Sequence, residues 1–135
     1  MATSAMLTIA SMISLPVKFN HQHQHSQEIC VDDFKNDRPW NKARSKLYAL
    51  TYITNYFPSW GRNEYRALVK LWGKESAWNH EADNPKSSAY GIAQVLKTKP
   101  GTPAPLQIER GLEYIVHRYD KPSIAWSHWR KHGWY

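Results

Sequence analysis

Apolar positions along this chain recur in blocks with different spacing, and the blocks set the expected elements. From Asn41 the period is helical: Leu47, Leu50, Ile53, Tyr56 and Phe57 follow at three- and four-residue steps, and Pro58 stops the run. Pro58-Ser-Trp-Gly61 reads as a tight connection. A second helical pattern covers residues 62–77. At about 100° per residue it places Tyr65, Leu68, Val69 and Trp72 on one arc, with Arg66, Lys70 and Lys74 opposite. The stretch 79–88, rich in Asn, Pro, Lys and Ser, is a loop with room for at most a small β-hairpin. One short helix is expected over 90–96. After an irregular link, Thr102 ahead of Pro103 offers a hydroxyl cap and a proline tolerated in the first turn. Ile108, Leu112, Ile115, Val116 and Tyr119 form the buried stripe of that helix, which Asp120-Lys-Pro122 ends. Ser123 is placed to cap a last short helix carrying Ala125, Trp126 and Trp129, and Gly133 sits where a C-terminal cap belongs. The expected fold is mostly α, with about five helices.

Residues 1–36 break this pattern. Their longest apolar run, 5–17, is interrupted by Thr8, Ser11 and Ser14 and falls short of the ~20 residues that span a bilayer. Met1-Ala-Thr-Ser lacks a basic start and no clean Ala-x-Ala site follows, so two readings stand: a mobile N-terminal arm or a weak signal-like segment. His21-Gln-His-Gln-His25 reads as a polar linker, because no Cys or acidic residue lies beside it at ligand spacing. The folded domain is expected over 37–135, and 135 residues suffice for one hydrophobic core.

Composition narrows the chemistry. The lone Cys30 excludes an intrachain disulfide framework and a Cys-rich zinc module. With 18 Lys and Arg against 11 Asp and Glu the formal charge is +7, which favours an anionic partner: nucleic acid, a membrane surface or an acidic wall polymer. The basic residues are spread along the chain and no nucleic-acid motif is present, so neither nucleic acid nor stable membrane insertion is expected. All seven Trp lie between Trp40 and Trp134. His128 and His132 share a helix face, but no His-Glu-x-x-His pattern accompanies them, and no metal or cofactor is expected.

One carboxylate stands out. Glu75 falls beside Leu68, inside the apolar arc of the second helix and near its C-terminal end. Burial and the helix macrodipole both disfavour its ionised form, which is the tuning a general acid needs. A salt bridge to an Arg, or a frayed helix end, would equally account for a Glu there.

Glu75-Ser-Ala-Trp-Asn79, followed by Ala89-Tyr-Gly-Ile-Ala-Gln94, resembles the Glu-Ser and Gly-x-x-Gln motifs of lytic transglycosylases of the SLT type, which share the goose-type lysozyme fold. The stretch 107–135, ending in Gly133-Trp-Tyr135, is similar to small SLT-like domains of actinobacterial secreted proteins and phage virions. The resemblance covers about residues 41–135. It implies an α+β lysozyme-like fold, Glu75 as catalytic acid and base, and Ser76 as its motif neighbour. It implies that Gly91 and Gln94 line a glycan groove, with Tyr90, Trp78 and Trp126 stacking on sugar or walling the pocket. Larger family members carry Ala-Tyr-Asn near the C-terminus, where this chain has Ala125-Trp126-Ser127, so Tyr119 or Tyr90 is left to supply the missing hydroxyl. The loop 95–105 is also shorter than in the actinobacterial domains, which opens the groove.

The implied reaction cleaves the β-1,4 bond between N-acetylmuramic acid and N-acetylglucosamine in peptidoglycan glycan strands, outside the cytoplasm, by a monomer. Glycosidases usually use two carboxylates, yet Glu81, Asp83, Glu109, Glu113 and Asp120 sit in no second-acid motif. A single-Glu route with substrate assistance and a 1,6-anhydro product resolves this. The alternatives are a hydrolytic muramidase of the same fold, or a non-catalytic wall-glycan-binding or virion structural module.

Overall fold

A computed structural model describes residues 29–135. The apolar run at 5–17 and the His-Gln tract lie outside the described residues. The fold is mostly α. Four helices, α1 (Lys42–Tyr56), α2 (Arg62–Ser76), α3 (Ala104–Tyr119) and α4 (Pro122–His132), follow a 3₁₀ turn at Val31–Phe34. The helices pair across the chain order: α2 lies chiefly against α4, and α1 against α3.

Asn41 caps α1, its side chain accepting from the Arg44 N–H at 2.9 Å. The face that α1 buries is not the leucine stripe. Leu47, Leu50 and Tyr56 are 41, 39 and 56% exposed, while Ser45, Tyr48, Ala49 and Ile53 turn inward. Both arcs have helical spacing. The second wins because small Ser45 and Ala49 admit close packing between the larger Tyr48 and Ile53. Arg44 then gathers the preceding segment. Its guanidinium lies 4.4 Å from the Trp40 ring centre and donates to the carbonyls of Arg38 and Phe34 and to Asn36 Oδ1. Phe34 meets Tyr48 edge-on at 5.1 Å. The packed region therefore starts near Val31, ahead of the boundary at 36 that composition suggests.

In α2 the expected arc is buried: Leu68 and Trp72 are fully enclosed, Tyr65 and Val69 partly so, and Arg66, Lys70 and Lys74 are exposed. Ile108, Leu112, Ile115 and Tyr119 of α3 complete the core with Leu71, Trp78 and Ile92. Two expected caps are replaced. The Thr102 hydroxyl donates back to the Lys99 carbonyl at 2.7 Å, so Pro103 stands at the start of α3 with no side-chain cap. Ser123 lies inside α4, whose first turn is capped by a carboxylate from another helix. Glu64 accepts from the Ser123 N–H at 2.8 Å and from its hydroxyl at 2.9 Å. Gly133 closes α4 in the left-handed conformation, as the sequence suggests.

The short helix expected over 90–96 does not form. Gly91 and Gln94 have φ of 81° and 52°, outside the right-handed helical region, and the segment is a run of turns. Isolated antiparallel bridges, Asp83 to Tyr90 and Tyr90 to Val95, hold it in place.

Candidate active site

Glu75 occupies the last turn of α2 and is half-buried. Trp129 of α4 donates its indole N–H to Glu75 Oε1 at 2.7 Å. Burial pushes the Glu75 carboxyl above the usual carboxylate range, and the Trp129 hydrogen bond opposes that only in part. Trp126 stacks on Trp129, with ring centres 5.5 Å apart and planes 12° from parallel.

Two phenols stand close enough to Glu75 to feel its charge. Burial raises both Tyr119 and Tyr135, and the carboxylate adds to each. Tyr135 is fully engaged: its hydroxyl accepts from Trp72 Nε1 at 2.8 Å and donates to the Ala93 carbonyl at 2.6 Å. Tyr119 is only 8% exposed, and the neighbouring Arg118 opposes the rise in its pKa through its charge and a side-chain hydrogen bond. Tyr119, one of the two tyrosines left to supply a hydroxyl, stands close enough to Glu75 to feel its charge.

Ser76 fastens the neighbouring loop to the end of α2, donating to the Ile92 carbonyl at 2.6 Å. The other expected groove residues serve as scaffold. Trp78 is 2% exposed, lies edge-on to Trp72 at 5.1 Å and donates to the Val69 carbonyl, so it has no face to offer a sugar. Gly91 is buried, and a Cβ there would come within 2.0 Å of Gln107 Oε1. The space its missing side chain leaves is filled by Gln107 rather than opened to a ligand. Gln94 spends its carboxamide on the Ala82 and Gly91 carbonyls, at 3.0 and 2.8 Å. Tyr90 is the half-buried hinge of the two β-bridges.

The structure therefore brings together Glu75, Ser76, Tyr119 and Trp126, and assigns Trp78, Tyr90, Gly91 and Gln94 to the supporting loop. Sequence reasoning misses three residues. Trp129 follows Trp126 by three positions, and that helical spacing is its signal. Tyr135 gives no periodic signal at all. Gln107 clamps the loop from α3, accepting from the Ile92 N–H at 2.9 Å and donating to the His80 and Thr102 carbonyls.

Four surface clefts, of about 410 to 950 Å3, are lined by other residues than Glu75. Among the described residues no group of three or more His, Cys, Asp or Glu could hold a metal ion, and no helix is long and apolar enough to cross a membrane. Compared with protein-family models, curated proteins and solved structures, the chain matches none.

Proposed function

We propose that the protein is a peptidoglycan lytic transglycosylase, acting outside the cytoplasm as a monomer, with Glu75 as its single acid and base. The observation that carries this reading is the half-buried Glu75 carboxyl, held by Trp129 and shifted upward by burial. A carboxyl whose protonated form is favoured by burial is tuned in the direction a general acid needs. Trp129 engages Oε1. Glu75 protonates the glycosidic oxygen as its bond to C1 of N-acetylmuramic acid breaks. The sugar's own 2-acetamido oxygen covers the positive charge developing at C1. The Glu75 carboxylate then removes the proton of the C6 hydroxyl, whose oxygen bonds to C1 and closes the 1,6-anhydro ring. No second carboxylate is required, in keeping with substrate-assisted exceptions to the two-acid scheme. The net positive charge favours approach to an anionic wall.

The test is incubation with purified peptidoglycan sacculi and mass spectrometry of the released fragments. Anhydromuropeptides are expected, and Glu75→Gln should cut their release by at least about 100-fold. Fragments with only reducing ends would replace this reading with a hydrolytic muramidase.

A second reading, a non-catalytic wall-glycan-binding or virion structural module, is favoured by one observation. Gly91 and Gln94, expected to line a glycan groove, are consumed by the scaffold. On that reading the protein co-sediments with sacculi, releases nothing, and binds equally well as Glu75→Gln.

A further inference from the structure

A cleft of about 440 Å3 lies between α1, the 3₁₀ turn and the start of α3, and shares no lining residue with the Glu75 site. One wall is a tyrosine ladder. Tyr48, Tyr52 and Tyr56 stand four residues apart on α1, with successive ring centres 6.1 and 4.4 Å apart. The Tyr48 hydroxyl donates to Glu109 Oε1 at 2.5 Å, which fixes that carboxylate at the cleft. Glu113 is close enough for its charge to act on Tyr52. On the opposite lip Asp32 holds the Lys35 ammonium at 2.6 Å.

This is a local reversal of charge. In a chain of formal charge +7, the cleft gathers the carboxylates of Asp32 and Glu109, with Glu113 nearby, against the single ammonium of Lys35. Aromatic rings attract cations through their quadrupole, and most strongly where carboxylates add to the field. The chain's own Lys35 already sits at this rim, facing both Asp32 and Tyr56. The groups that would repel an anion and accept a cation thus face the cleft from all three elements around it.

We propose that this cleft binds an organic ammonium group, seated against Tyr52 and Tyr56 with Glu109 as its counter-ion. A quaternary alkylammonium and a lysine-type side chain of a peptide share this chemistry. The volume admits either head group with its first few carbons. The proposal is independent of glycan cleavage, since neither Glu75 nor Trp129 contributes to it.

The test is NMR titration of the isotope-labelled full chain with choline, with an N-acetyl-lysine amide, and with 3,3-dimethyl-1-butanol as the neutral isostere of choline. Saturable shifts at cleft residues are expected for one or both ammonium compounds, and whichever saturates at lower concentration identifies the source. The neutral alcohol should bind at least about tenfold more weakly. Glu109→Gln should weaken ammonium binding about fivefold, and Asp32→Asn, on the exposed lip where folding is not at stake, should weaken it measurably. Lys35→Gln, which removes the resident ammonium, should tighten it about threefold. Glu75→Gln should leave it unchanged, whatever its effect on sacculi. Equal affinity for the neutral isostere would overturn the proposal. So would shifts that never saturate, or affinity unaltered by both Glu109→Gln and Asp32→Asn.

Discussion

The Glu75 carboxyl is costly to ionise in the folded protein, because burial disfavours its charged form. Its native pKa is raised, so the folded protein holds this proton more tightly than the unfolded chain does. The stability this group contributes is complete below the unfolded pKa and is lost as pH rises through the native one. Glu75→Gln has the same shape, retains an oxygen to accept from Trp129 and never ionises. The variant is expected to melt at a higher temperature than the native protein at about pH 7, with the gain shrinking toward about pH 4. Thermal melts across that range check it, and a lower melting temperature for the variant at neutral pH would remove the buried-acid argument.

Between elements, α4 borrows a cap from α2. Glu64 stands in the first turn of α2, where its charge suits the helix N-terminus, and its carboxylate also serves the first turn of α4 through Ser123. Glu64→Ala and Ser123→Ala are each expected to cost about 1–2 kcal/mol. The double variant should cost less than the sum by more than about 0.5 kcal/mol, because one interaction is removed twice. Denaturant unfolding of the four proteins gives the cycle directly. Additive losses would mean that α4 is held by apolar packing alone, with Ala125 and Pro122 carrying it.

Across the whole molecule, closure depends on the far end of the described chain. Tyr135 reaches back to bond Trp72 in α2 and Ala93 in the loop, and its ring meets Tyr114 of α3 at 5.5 Å. Its burial holds the phenol protonated well beyond its ordinary range, so the donation to Ala93 persists. Tyr135→Phe keeps the ring and leaves a buried indole N–H and a carbonyl unpaired, at an expected cost of about 1–3 kcal/mol. Hydrogen exchange should show the loss concentrated in residues 91–94, with Ser76 still holding Ile92 from the other side. A uniform loss of protection across the four helices would contradict a local clasp.

The periodic segments are legible in the amino-acid sequence. In α2, α3 and α4 one apolar arc dominates, and a helix with a single such arc has only one face to bury. The same periodicity sets Glu75 among apolar neighbours, and Gly133 marks its helix end. In α1 two arcs compete, and the choice between Leu50 and Ala49 is made by what packs opposite. Local chemistry favours caps at Thr102 and Ser123, but the Lys99 carbonyl and the Glu64 carboxylate from α2 overrule it. The segment 90–96 carries a plausible helical composition, yet Gly91 takes a left-handed backbone there, with Gln107, thirteen residues beyond Gln94, filling the space a Cβ would need. Trp129 and Tyr135 join Glu75 across 54 and 60 positions, a relation that no local period encodes. Helical periodicity and residue chemistry by themselves determined the four helices α1 to α4 and singled out Glu75 as a candidate acid. Tertiary structure alone decided which residues surround that acid, because burial and hydrogen bonding over such separations are settled by packing and not by neighbours in the chain.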